Sequence, residues 1–131
     1  MGTPRQHVTR TTLGRDTCLN LLRRAEYARV LISVRCLPAA LPARIEVLDD
    51  QQLLLASTEE AVAVAAARGE VLSVQIDGLE DDGATWSVIA SGLASTVEGP
   101  DSLSEALARA LSHGAILVGL PLSVVAGERV S

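Results

Sequence analysis

Few side chains in this chain are of the types that perform covalent or metal chemistry, and their spacing supports little of it. The two histidines are His7 and His113. His7 stands in a polar stretch with no partner nearby. His113 follows a helical pattern, where an imidazole suits the negative end of the helix. Neither builds a Ser-His-Asp arrangement. The two cysteines, Cys18 and Cys36, lack the spacing of a zinc site and are too few for a disulfide framework. Cys18 falls at an apolar helical position and reads as a small buried hydrophobe. Glu80-Asp81-Asp82-Gly83 is acidic, yet the regular ligand spacing of a calcium loop is missing, so it reads as a solvated turn. No GxGxxG or P-loop sequence occurs. No metal is expected, and the catalytic residues, if there are any, are unknown.

Three sets of side chains have the chemistry to hold a ligand. Ser57 and Thr58 precede an Ala/Val-rich stretch of helical character. Their hydroxyls either donate to an anion at the helix N-terminus or simply cap it. Trp86, the single Trp, either lines a cleft or fills the core. Arg44 lies on the exposed side of an alternating strand.

All eleven basic residues are Arg, so no Lys is available as a phosphate ligand. Residues 1–44 hold eight Arg against Asp16 and Glu26, while the rest holds three Arg against fourteen acids. That asymmetry can mark a nucleic-acid surface. With no aromatics interleaved to stack bases, nucleic acid is not expected as a partner. No stretch is long enough to span a membrane, and the N-terminus lacks the apolar run of a signal peptide, which points to the cytoplasm.

The elements that position these residues follow from periodicity. A length of 131 residues fits one domain, with a 48% hydrophobic composition that makes its core aliphatic. Residues 1–11 lack a periodic apolar pattern and read as a flexible arm before a single domain over 12–131. A helix is expected over 15–27, with Cys18, Leu21, Leu22 and Ala25 on one face. Strands follow over 28–34, 39–48 and 52–56. Ser57-Thr58-Glu59-Glu60 has the form of a capping box and opens a helix that Gly69 ends. Strands over 71–76 and 85–97 come next, the second bent at Gly92. Ser102-Leu103-Ser104-Glu105 is a second capping box, starting a helix that ends at 112–114. Residues 115–130 form two short strands or one bulged edge strand. Short antiparallel strands with a few helices imply a barrel, closed or partly split.

In order along the chain, several segments resemble the pyridoxamine 5′-phosphate oxidase-like, flavin-binding split-barrel family. Residues 13–22 are similar to its opening helix, and Ala28-Arg29-Val30-Leu31 to its first strand. Leu41-Pro42-Ala43-Arg44-Ile45-Glu46-Val47 stands where the family has a Pro-Val-Asn-Tyr strand. Residues 53–62 stand where a strand ends in Arg-Thr and a helix begins. Thr85-Trp86-Ser87-Val88 resembles a Gly-Trp-Ser-Val strand, and Gly127-Glu128-Arg129-Val130 the closing one. The resemblance covers residues 12–130 and rests on the ordered set rather than on any single motif.

It implies a six-stranded antiparallel Greek-key split β-barrel with about three covering helices, paired as a homodimer with cofactor clefts between subunits. It also implies a bacterial oxidoreductase using FMN or a deazaflavin, although some members bind no flavin. On the family pattern the cofactor-binding positions are Arg44, Ala56, Ser57, Thr58, Val62 and Trp86. Two of them depart from it. Ala56 and Val62 occupy the slots of an Arg and a Lys that hold the flavin phosphate. FMN binding is therefore expected to be weak or absent. The alternative is a cofactor-free, non-enzymatic homodimer that uses the same cleft for another ligand or for assembly only.

Overall fold

The computed structural model describes residues 7–99 and 102–131. In chain order the elements are β1 (Arg10–Leu13), α1 (Arg15–Arg24), β2 (Tyr27–Val34), β3 (Leu37–Leu48), β4 (Gln52–Ser57) and α2 (Glu60–Arg68). They continue with β5 (Val71–Leu79), β6 (Thr85–Leu93), β7 (Ser95–Thr96), α3 (Glu105–Ser112), β8 (Ile116–Pro121) and β9 (Val124–Val130). All nine strands pair antiparallel in one sheet of order β1-β9-β6-β5-β2-β3-β4-β8-β7.

The sheet curls until β6 lies beside β8. An ideal Cβ at Gly92 would stand 2.9 Å from the Pro121 carbonyl oxygen, so only glycine permits this approach. No ladder joins the two strands, which leaves the barrel split there. The architecture is the expected split barrel with three helices. It has nine strands rather than six because β1 is added, the long strand over 85–97 breaks at Ala94 between β6 and β7, and residues 115–130 form two strands, β8 and β9.

Alternation fills the barrel. In β5, Leu72, Val74 and Ile76 are buried while Val71 and Asp77 are exposed. Inward residues of β2, β5, β6 and β8 form one core with Cys18, Leu19 and Leu22 of α1. Each fully buried Leu or Val contributes roughly 1.5–3 kcal/mol. β4 is buried on both sides: Leu53 and Leu55 enter the barrel, whereas Leu54 and Ala56 meet Leu107 of α3 in a second cluster. That second cluster explains three consecutive leucines in a strand whose faces alternate.

Three expectations are corrected. The arm over 1–11 does not extend to its C-terminal part, because Arg10 and Thr11 pair with Val130 and Arg129, and Thr9 exchanges backbone bonds with Ser131; residues 1–6 lie outside the described residues. The first helix stops at Arg24, since Tyr27 already pairs with Arg44 in the sheet. Both capping boxes are displaced by two residues. α2 has Glu59 at its N-cap, with Ser57 still paired to Ile116. In α3, Ser104 rather than Ser102 accepts the Leu107 N–H. The left-handed cap at Gly69 stands as expected, with φ 67°.

Candidate functional site

Antiparallel register lines up two of the expected positions and one more. Ala56 in β4 faces Arg44 in β3, and Arg44 faces Tyr27 in β2. The row Ala56–Arg44–Tyr27 crosses three neighbouring strands on the outside of the barrel. Ser57 and Thr58 continue from β4 at one end. Together with Glu26, Ala43 and His113 these residues line a cavity of about 550 Å³.

A second cavity, of about 510 Å³, shares Glu26 and Tyr27 with the first and runs on beneath α1 to Ile76 and Trp86. The chain has only one Tyr and one Trp, and both line this second cavity. From β4 to β6 the two cavities pass four strand spacings, about 19 Å along the sheet. Tyr27 is 60% exposed at the junction, the position from which a ring stacks on a ligand. Trp86 is half-buried and stands opposite Gly78, where a Cβ would come within 2.5 Å of three indole atoms. The ring therefore lies over the glycine, which fixes it at the cavity wall.

The polar groups are few. The Ser57 hydroxyl accepts the Glu59 N–H at 3.1 Å and is buried, so its proton remains free to be donated. Thr58 is exposed beside it. Arg44 meets only Glu26, at 3.8 Å, and both side chains are well exposed, so this pair contributes little and yields easily to another anion. His113 Nδ1 lies 2.9 Å from the Arg109 carbonyl oxygen at the end of α3. In the second cavity Arg29 pairs with Asp77 at 3.3 Å.

The structure thus brings Arg44, Ala56, Ser57 and Thr58 into one cavity and places Trp86 in the adjoining one. Val62 is elsewhere. It is fully buried in the main core and lines neither cavity. Ala56 is also buried, packed beneath α3. Tyr27 and Glu26 were not singled out by the sequence, where they read as the end of a helix. Among the described residues no group of three or more His, Cys, Asp or Glu side chains is placed to hold a metal ion. Burial pushes the Cys18 thiol up from its ordinary range, as befits a packing residue.

The family model for pyridoxamine 5′-phosphate oxidase matches residues 14–116, most of the chain. The chain belongs to this family. A curated relative, the uncharacterized protein Rv0080 of Mycobacterium tuberculosis, is 32% identical over 97 residues. That match covers 70% of this chain and 64% of the relative. Among solved structures, a FAD-binding protein from Mesorhizobium loti superposes with a TM-score of 0.73 at 19% identity. It covers 95% of this chain and 99% of that one. The FAD-binding protein from Mycobacterium smegmatis gives 0.68 at 21% identity, covering 92% and 98%. At these identities the superpositions show a shared fold.

In this member of the pyridoxamine 5′-phosphate oxidase family the two cavities adjoin at Glu26 and Tyr27. One guanidinium, that of Arg44, and the hydroxyls of Ser57 and Thr58 line the first.

Proposed function

We propose that this chain binds a flavin nucleotide across the two cavities and acts as a flavin-dependent oxidoreductase in a homodimer. The observation that carries this reading is the junction of the cavities at Tyr27, with Arg44, Ser57 and Thr58 at one end and Trp86 at the other. Family membership and the FAD-binding relatives of the same fold support it. When bound, the flavin supplies hydride or electron transfer, and the protein's part is to hold and orient it.

Each residue has a stated task. Arg44 would exchange Glu26 for the phosphate, while Ser57 and Thr58 donate hydroxyl bonds to its oxygens. Trp86 and Tyr27 would flank the ring and exclude water from one of its faces. A single cation at the phosphate end makes FMN, or a deazaflavin of similar head, a weak ligand. The second reading, a cofactor-free dimer, is favoured by buried Ala56 in the first cavity, where a phosphate site needs a cation.

The outer face of β2, β5, β6 and β9 supports the proposed dimer. Leu31, Val71, Ile89, Leu93 and Val124 share that face around a Ser73–Ser91 hydroxyl pair 2.6 Å apart. Val71, Leu93 and Val124 are each more than 60% exposed. The ion pair Arg29–Asp77 borders this uncharged patch. An exposed apolar face with a polar rim is the anatomy of an interface between copies. Titration of the purified protein with FMN and FAD, read by calorimetry and by Trp86 fluorescence, tests the flavin reading.

A further inference from the structure

His113 carries chemistry that its helix does not use. It is the C-cap residue of α3, and Gly114, with φ 96°, turns the chain back toward β8. The Gly114 N–H donates to the Leu111 carbonyl and the Ala115 N–H to the Ala110 carbonyl, the two bonds of a Schellman motif. The ladder between β8 and β4 then sets Ile116 opposite Ser57. It thereby delivers the end of α3 to the cavity of about 550 Å³ that Arg44, Ser57 and Thr58 line, and His113 lines it with them.

The two ring nitrogens have different tasks. Nδ1 lies 2.9 Å from the Arg109 carbonyl oxygen, which can only accept, so Nδ1 holds a proton. In the neutral ring Nε2 is then the bare nitrogen, and it has no bonded partner among the described residues. Capping of the helix accounts for Nδ1 and leaves Nε2 unused. Protonation turns Nε2 into a charged donor without disturbing the bond at Nδ1. The cavity is short of such a donor. Arg44 gives it one guanidinium, while buried Ala56 stands where a phosphate site needs a second cation. Ser57 adds a hydroxyl proton, because its oxygen already accepts the Glu59 N–H at 3.1 Å, and exposed Thr58 adds another.

We propose that His113 is a conditional anion ligand, whose imidazolium joins Arg44, Ser57 and Thr58 around a phosphate group and releases it as pH rises. Where that phosphate belongs to a flavin, the proposal rests on the flavin reading above; a free phosphate or phosphomonoester offers the same chemistry without it. The other titratable side chains lining the cavity are Glu26, which faces Arg44 at 3.8 Å, and Tyr27. Glu59 and Glu60 stand at the start of α2, and on α3 Arg109 is paired with Glu105. From β8 the neighbouring Ala115 brings no charge. Imidazole ordinarily titrates at about pH 6.5, against about 4.3 for a Glu carboxyl and about 10 for a phenol, so an interval from pH 5.5 to pH 8 isolates it.

The experiment titrates the full chain with sulfate and with FMN at pH 5.5 and pH 8, reading the histidine ring protons by NMR and Trp86 by emission. Sulfate stays a dianion over this interval, whereas a phosphate gains charge as pH rises. The titrations are repeated with His113→Gln and with His7→Gln. His7 lines none of the described cavities, and its variant assigns the two histidine signals and controls for the loss of an imidazole. Thermal melting confirms that both variants fold, and the wild-type NMR titration needs neither. A hydrogen bond to a charged group corresponds to about tenfold or more in affinity. The wild-type chain and His7→Gln should bind sulfate about tenfold more tightly at pH 5.5 than at pH 8, and His113→Gln equally at both. By reciprocity, saturating sulfate should move the midpoint of the His113 titration to higher pH and leave that of His7 in place. FMN bound through His113 and at least tenfold more tightly than sulfate assigns the cavity to the flavin phosphate; FMN no tighter than sulfate assigns it to a free phosphate or phosphomonoester. Sulfate bound through His113 with no flavin bound at either pH would keep this proposal and remove the flavin reading. FMN that quenches Trp86 with one affinity at both pH values, in wild type and in His113→Gln alike, would do the reverse. Absence of sulfate binding, or a pH dependence that His113→Gln retains, would overturn the proposal.

Discussion

Replacing Gly78 by Ala should dislodge the only tryptophan of the protein. In the register Gly78 faces Trp86 directly, and an added Cβ would come within 2.5 Å of three atoms of its ring. The ring cannot bend, so it must turn about its own χ angles and leave the cavity wall. Forcing a side chain from a packed position costs about 1–3 kcal/mol. Trp86 is half-buried and packs on the main core. Removing it by Trp86→Ala should therefore cost about 2 kcal/mol, less than the 3–5 of a fully buried aromatic. Denaturant unfolding of Gly78→Ala, followed by fluorescence, should show a red-shifted native emission and a lower midpoint. In a Trp86→Ala background the same Gly78→Ala change should be nearly neutral, because the clashing group is gone. A double-mutant cycle then gives a coupling close to the whole cost of Gly78→Ala. Equal destabilisation in both backgrounds would refute the stacking of Trp86 on Gly78.

The remaining predictions concern other parts of the fold. Ser104→Ala should destabilise by about 1 kcal/mol through loss of the α3 cap, whereas Ser102→Ala should be neutral; denaturation midpoints distinguish them. A thiol reagent should label Cys36 alone in the native protein, with Cys18 becoming reactive only on unfolding. Because burial raises the Cys18 thiol, stability should fall as pH rises past the ordinary thiol value, where only the unfolded chain ionises; Cys18→Ala should remove that dependence, read by melting at pH 7 and pH 10. Sedimentation should show a dimer at micromolar concentration, and Leu93→Arg, which places a charge on the uncharged face, should shift it to monomer without loss of secondary structure.

The sequence carried the alternation of β3 and β5, the helical spacing of α1 and the glycine that ends α2, because these depend on contacts local in the chain. It did not carry β1. Arg10-Thr11-Thr12-Leu13 has no apolar face and becomes a strand only through its ladder to β9. The misplaced caps have a tertiary cause as well. Ser57 fits a capping box, yet its backbone is held in the ladder to β8, so α2 cannot begin until two residues later. At α3 the Ser104 N–H is fixed by Glu46 from β3, 58 residues away in sequence. The same limit applies to the site. Arg44, Ser57, Thr58 and Trp86 were identifiable from the family resemblance. Tyr27 became visible only when the register placed it beside Arg44, and the place of His113 in the same cavity only when β8 paired with β4.

The measurement closest to the central claim is a flavin titration of the purified protein, with Trp86 emission and calorimetric heat recorded on the same samples. The wild-type chain should purify without stoichiometric FMN and bind it with a dissociation constant in the micromolar range or weaker. Bound flavin should quench Trp86. Arg44→Gln should weaken binding by about tenfold or more, the value of one hydrogen bond to a charged group. Flavin binding that neither quenches Trp86 nor responds to Arg44→Gln would place the ligand elsewhere and contradict the account. So would the absence of any heat or quenching with FMN and FAD at millimolar concentration.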